Sequence, residues 1–452
     1  LGNNKQLCIN YLIKRRMKKM KFLVSQLYML ALLVLPFISS SCSDDDDPKV
    51  EITLGIEDGA TVNVGQIIQL EAQINNTNTQ GEIEYNWEVN GESVSNESNY
   101  TFMANEKGTY TITLNIINNN DNFQKSISIN AQMYPSSFYV VNEGKYGTPG
   151  SVNRYQKGEW NYKIISELGN TSTVGVVNGN YIYIVSKDSP FLVKAELSNY
   201  SIVDKIEDGL GDNGQGNNFC IINDQTGILT TTNGAFKVNL NPLTLGEKLN
   251  DMDNVKNDKE DIYKTENYLF IRSQETVKVY NINDLSFNKQ IGTEIKTGFA
   301  LTKDGMLWAA NSNKLVKINP NSLESEEIQL PNNLKIFIDT TYKPSGLCAS
   351  ITENALYFAH APNFNGTDIY KFDITTQNVN KFFTAPTNYS GYGAGIQVNP
   401  QNGDVYLIYT EDGWGAHYLN TYIYVVDGVT GTQKAIIDYT GEYWFPSTIT
   451  FQ

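Results

Sequence analysis

Apolar and polar residues alternate with period two in short stretches, separated by turns rich in Gly, Asn and Asp. Ile68, Leu70 and Ala72 alternate with polar neighbours, and so do Tyr110, Ile112, Leu114 and Ile116. This alternation predicts strands with one buried face and one wet face. Between residues 48 and 132 the pattern predicts about seven short strands, the clearest at 50–54, 67–74, 84–89 and 110–117. Asn90-Gly91 supplies a tight turn after one of them.

From Tyr134 onward a unit recurs. Its apolar strand appears at 138–142 and returns at 181–185, 227–231, 268–272, 306–310, 355–359 and 404–408. The spacing, roughly 38 to 50 residues, is that of propeller blades. A second strand such as 192–197, 277–282 or 315–319 follows each one. An outer strand such as 201–205 comes next, and an inner strand such as 174–177 or 395–398 precedes most. Four strands per unit and seven units predict an all-β chain: a small β-sandwich over 49–132, then a seven-bladed β-propeller over 134–452. The first unit lacks an inner strand. Residues 447–452, Ser-Thr-Ile-Thr-Phe-Gln, can supply it and close the ring.

Propeller geometry places the loops between second and third strands on the same face as the loops between blades. That face collects Tyr146, Lys187, Asp188, Asn233, Gln274 and Asn311. Long late loops, 359–368 and 410–421, add His360, Phe364, Trp414, His417 and Tyr418. Between-blade loops add Tyr342, Lys343, Tyr389, Tyr392, Tyr443, Trp444 and Phe445. Long loops bearing Gly and aromatic residues are where function concentrates. Rings mixed with amides suit a flat ligand with polar edges, such as a corrin, or a sugar. The same rings can also pack the loops themselves. The ligand-binding set expected on this face is Tyr146, Lys187, Tyr342, Tyr389, Tyr392, Trp414, His417, Tyr418, Trp444 and Phe445. His417 is a conceivable axial ligand to cobalt, with loop packing as its ordinary role.

The N-terminus reads as an address. Residues 1–41 carry seven Lys and Arg and no acid, and 22–38 is an apolar run broken by Ser25, Gln26 and Pro36. It reads as a signal-peptide core, with Met17 or Met20 the expected start. Ile38-Ser-Ser-Ser-Cys42 resembles a bacterial lipobox, which implies lipidation of Cys42. Ser43 followed by Asp44, Asp45, Asp46 and Asp47 resembles the acidic export tag of Bacteroidetes surface lipoproteins, so 42–48 is expected to be a lipidated linker at the cell surface of the outer membrane.

Charge and chemistry narrow the function. The 452 residues carry 34 Lys and Arg against 49 Asp and Glu, a formal charge of −15. Without the seven basic residues of the leader, 27 remain against 49, or −22. No nucleic acid is expected as a partner, because phosphate neutralisation needs a basic surface. Contact with the membrane is expected through the acyl anchor alone. Two histidines leave little room for a His-rich metal site. Cys220 and Cys348 lie in apolar strand contexts and read as buried free thiols.

Gly-x-Ser-x-Gly and His-Glu-x-x-His patterns do not occur. The glycine-rich run 209–216 joins two strands and precedes no helix, so it is a between-blade loop and not a phosphate cradle. Asp212, Asp251, Asp253 and Asp258 lack an ordered calcium spacing. Glu143, Glu411 and Asp412 are the carboxylates that could face one cavity. Asp339-Thr340-Thr341 resembles a Bacteroidetes O-glycosylation acceptor. The expectation is a protein that is not an enzyme and needs no cofactor.

Two resemblances extend this. Tyr85-Asn-Trp-Glu-Val-Asn-Gly91 and Gly108-Thr-Tyr-Thr-Ile-Thr-Leu114 resemble PKD-like, immunoglobulin-like modules, which implies that Trp87 is core and that the module is a spacer or protein contact. Phe138-Tyr-Val-Val-Asn-Glu-Gly144 and Tyr443-Trp-Phe-Pro446 resemble the YncE-like surface propellers of Bacteroidetes. Within that group the cobalamin-capturing, BtuG-like lipoproteins pass ligand to a TonB-dependent transporter. The resemblance implies a corrinoid as ligand rather than cofactor, and a TonB-dependent outer-membrane transporter as partner. The alternative is a glycan- or protein-binding adhesion propeller.

Overall fold

The computed structural model describes residues 51–75, 83–118, 121–252, 261–292, 294–338, 347–361, 366–442 and 445–452. The leader, Cys42 and the acidic tag therefore lie outside the described residues, as do Tyr342, Lys343, Phe364, Tyr443, Trp444 and the 339–341 motif. No described helix is long and apolar enough to cross a membrane.

Residues 51–132 form the sandwich. Its main sheet runs Ala60–Asn63, Asp121–Gln132, Gly108–Asn118, Ile83–Val89, Glu92–Ser95. The alternation along Gly108–Asn118 buries Ile112, Leu114 and Ile116, while Thr111 and Thr113 are exposed or half-buried. Trp87 is fully buried, and its indole N–H donates to the Glu97 carbonyl at 2.9 Å, so it is core as expected. The single strand expected at 67–74 is two. Ile68–Glu71 pairs with Asn99–Phe102, and Gln73–Asn75 pairs with Glu51–Thr53. The chain changes partners at Ala72, a switch that unbroken alternation cannot reveal.

Seven four-stranded antiparallel sheets follow. Second strands are buried on both faces, as in Ala355–Ala359, which explains their unbroken apolar runs. Outer strands such as Ser325–Gln329 are mostly exposed. Blade 1 comprises Pro446–Thr450, Ser137–Asn142, Ser151–Gln156 and Glu159–Ile165, from the inside out. The last strand closes the ring as expected: Tyr139 pairs with Thr450, Val140 with Ile449 and Val141 with Thr448. It also grips blade 2, where Ser447 Oγ donates to the Thr173 carbonyl at 3.1 Å and Thr450 Oγ1 to the Gly175 carbonyl at 3.0 Å.

Blade 7 comprises Tyr389–Val398, Val405–Glu411, Thr421–Val426 and Gln433–Asp438. Its inner strand starts six residues before the expected Gly395. Tyr389 and Tyr392 therefore belong to that strand and not to a between-blade loop. The pairing breaks register between Gly391 and Ile396, which hides the strand from period-two reading.

The sandwich is seated on blade 7. The Ile436 amide donates to the Val64 carbonyl at 3.1 Å, and Gln433 Nε2 to the Gly65 carbonyl at 2.5 Å. Gly65 has φ +75°, and a Cβ there would stand 2.4 Å from the Ile436 nitrogen. The connection through Tyr134 is part of the propeller core. The Tyr134 phenol donates to Asp404, which also pairs with Lys434 at 2.8 Å, and Ser136 Oγ lies 2.5 Å from the Tyr406 phenol.

Candidate functional site

The loop 412–420 joins the second and third strands of blade 7 and carries a 3-10 turn, Gly415–Leu419. Glu411 holds it from below: its carboxylate accepts from Asn420 Nδ2 and lies 3.2 Å from His417 Nδ1. His417 packs against Gly413, where a Cβ would fall 2.6 Å from the imidazole. Asp412 accepts from Ser390 Oγ at 2.7 Å, and its amide donates to the Asn388 carbonyl at 2.8 Å. His417, Glu411 and Asp412 are thus engaged in shaping the loop.

The turn lifts Trp414 and Tyr418 onto the face. Trp414 is 85% exposed, with its ring 6.1 Å from Tyr418. Tyr418 lies 5.1 Å from Phe445, and Phe445 lies 5.9 Å from Tyr392. Tyr392 and Tyr418 are 6.5 Å apart. These four rings form one aromatic ledge that grades from half-buried Tyr392 to open Trp414.

Backbone bonds tie the ledge to its neighbours. Glu143 N donates to the Phe445 carbonyl at 2.9 Å, Thr171 N to Glu143 at 3.0 Å, Lys187 N to Thr171 at 3.0 Å and Gly216 N to Lys187 at 3.1 Å. One ladder across blades 7, 1, 2 and 3 sets Glu143 and half-buried Lys187 on the same arc as the ledge. Tyr392 reaches the Glu143 carboxylate at 3.4 Å.

Beside the ledge, between blades 7 and 1, lies an open cleft of about 700 Å³. Its charged lining is Lys145, Lys163 and Glu442, its hydroxyls are Thr148, Ser151 and Ser166, and its apolar members include Leu419 and Pro149. Leu419 adjoins Tyr418 and accepts from the Gly441 amide at 2.9 Å, so cleft and ledge share one loop. Gly144 and Gly150 leave no room for a Cβ, which would meet backbone oxygens at 2.4 and 2.6 Å.

The other expected residues among those described do not join the ledge. Tyr146 stands fully in solvent. Tyr389 packs against Tyr422 at 5.7 Å, and burial raises its phenol pKa. Asn233 spans the glycine-rich loop, donating to the Leu210 and Asp212 carbonyls at 2.8 and 3.1 Å. Asn311 caps its own turn, accepting from the amides of Asn313 and Lys314. Lys335 lies beside His360 Nδ1, its amide nitrogen at 3.1 Å. Cys220 and Cys348 are only half-buried, and Cys348 Sγ donates to the Ile396 carbonyl at 3.3 Å. Asp253 and Asp258 lie outside the described residues, and no cluster of three metal-ligating side chains occurs among those described.

Sequence reasoning missed Lys145, Lys163 and Glu442. Lys163 reaches the cleft through a bulge: pairing of its strand with Ser151–Gln156 shifts register between Val152 and Arg154, and Lys163 has φ +51°. The side chain that holds it, Asn153, sits on another strand and gives no local signal.

A comparison with curated proteins finds no match. Among solved structures, a quinonprotein alcohol dehydrogenase-like protein from Bacteroides thetaiotaomicron is similar with a TM-score of 0.52 and 19% identity, over 88% of this chain and 99% of that one. AztD from Citrobacter koseri gives a TM-score of 0.44 and 9% identity, over 70% of this chain and 97% of that one. The first likeness shows the fold. The PKD-like domain family matches residues 48–118. Residues 136–452, well over half the chain and the whole ring, match the family described as Domain of unknown function (DUF5074), and to that family this protein belongs.

Proposed function

We propose that this protein captures a small molecule on the top face of its propeller without turning it over, and that a corrinoid of the cobalamin type is the first ligand to test. The observation that supports the reading is the ledge of Tyr392, Phe445, Tyr418 and Trp414 beside the cleft. A ring as open as Trp414 contributes little to its own loop and gains most by being covered. The corrinoid identity rests on the opening and closing motifs of the ring, and acyl anchoring at Cys42 over a TonB-dependent transporter is part of the same proposal. The polar groups of the cleft favour a second reading, a glycan, whose hydroxyls need partners beside a stacking ring.

Calorimetry with cobalamin, cobinamide and oligosaccharides tests both. Covering an aromatic side chain is worth about 1.5–3 kcal/mol, so Trp414→Ala is expected to weaken binding roughly tenfold or more. His417→Ala costs less, because the His417 ring is already engaged by Glu411 and Gly413 in shaping the loop. Absence of binding to both corrinoids overturns the first identity. Saturable binding of an oligosaccharide in its place establishes the second.

A further inference from the structure

We propose that the cleft between blades 7 and 1 takes an anionic group of the captured ligand, a carboxylate or phosphate, with Lys145 and Lys163 as its cationic contacts. The inference rests on the capture reading above and names the chemistry of the ligand's polar side.

Three observations carry it. Among the described residues the charged lining is two lysines against one glutamate, on a chain whose formal charge is −15. The long-range field of such a chain repels anions, so any anion held here is held by charges within a Debye length, about 8–10 Å.

The second is how Lys163 is placed. A chain of buried polar groups supports its bulge: the Asn142 amide oxygen accepts from the Tyr439 phenol at 2.7 Å, that phenol accepts from Asn153 Nδ2 at 2.5 Å, and Asn153 Oδ1 accepts from the Lys163 amide at 2.7 Å. Asn142, Asn153 and Tyr439 are at most 1% exposed. A buried network that fixes a lysine in the left-handed region, which non-glycine residues rarely adopt, aims that side chain.

The third is the partner of Lys163. Its Nζ lies 3.1 Å from Glu442 Oε2, with the two side chains 55% and 60% exposed. An exposed pair of this kind is weak and screened, so an incoming anion can take the place of Glu442. The Ser166 hydroxyl lines the same cleft and can donate to it, while Thr148 Oγ1 already donates to the Lys145 carbonyl at 2.6 Å.

The test uses matched neutral and acidic probes with the purified protein: lactose and sialyllactose, glucose and glucose 6-phosphate, cobinamide and cobinamide phosphate. The acidic member of at least one pair is expected to bind about fivefold tighter than its neutral partner. The carboxylate and phosphate arms decide which anion it is. Lys163→Gln with Lys145→Gln is expected to erase that preference, and so is 0.5 M salt, while the melting temperature stays unchanged. Glu442→Gln is expected to tighten the acidic probe roughly two- to fivefold and leave the neutral one alone, a gain that a merely structural pair would not produce. Equal affinities within every pair that binds, or a preference indifferent to both lysines, overturns this inference and leaves capture standing. Failure of all six probes and of cobalamin overturns both.

Discussion

The closure strand gives the sharpest test of the architecture. Ile449 is 2% exposed and packs among Phe138, Val140, Tyr155 and Tyr406, opposite Val140 in the ladder. Ile449→Ala removes three buried carbons and leaves a cavity in a core with little room to collapse, at a cost of about 2–5 kcal/mol. Unfolding entropy of about 2.1 cal/mol/K per residue over roughly 320 residues gives about 0.7 kcal/mol per degree. The melting temperature should therefore fall by about 3–7 °C. Ending the chain before Pro446 does more. It also deletes the bonds from Ser447 and Thr450 to blade 2, strips Phe451 from Phe138 and Tyr406, and leaves the edge of Ser137–Asn142 unpaired. Scanning calorimetry of the three proteins is the assay, with Ile351→Ala, 40% exposed, as the control expected to stay within about 0.5 kcal/mol. The truncated chain should lose its cooperative transition. A truncated protein that melts at the parent temperature with the parent enthalpy refutes the reasoning.

Gly65→Val adds a side chain where φ is +75° and the Ile436 nitrogen stands 2.4 Å from the new Cβ. The sandwich should lift from blade 7, and X-ray scattering should report a larger radius of gyration; an unchanged profile and melting curve contradict the seating. Alkali should destabilise the propeller. Burial pushes the Cys220 thiol up to about 11 and the phenols of Tyr357, Tyr406 and Tyr424 up to about 12, from ordinary values of 9.0 and 10.0. The unfolded chain then loses protons that the folded chain keeps, so stability is whole below pH 9 and falls as pH rises from 9 through 12. Melting temperatures that stay flat between pH 8 and 11 contradict this.

The ring was legible because its signal is local. A second strand buried on both faces must be apolar throughout, so Tyr181–Ser186 and Val405–Glu411 announce themselves, and the missing inner strand of blade 1 points to residues 447–452. Strands that change partner or register midway were not legible. Ile68–Glu71 and Gln73–Asn75 share one alternation yet join different sheets, and Tyr389–Val398 hides behind its register break. The site divides the same way. Trp414 and Tyr418 stood out as aromatics in a long loop, and Phe445 as one in a between-blade loop. Lys163 did not, because what turns it toward the cleft is Asn153 on the neighbouring strand, fixed in turn by Tyr439 from another blade.

The path by which the chain enters the ring also sets how the ring bears tension. A pull on the sandwich passes through Tyr134 and Ser136 into the strand Ser137–Asn142. Its ladder partners on both sides, Ser151–Gln156 and Pro446–Thr450, run antiparallel to it, so the pull lies along the strand and across the hydrogen bonds. The bonds are then loaded together in shear, not opened one at a time like a zipper. The Ile436–Val64 bond and the Tyr134–Asp404 contact divert part of the load to blade 7, on the other side of the seam. The seam where the ring closes is thus its mechanical mooring: a drag on the propeller would tighten against two blades before it could part the first strand from the last.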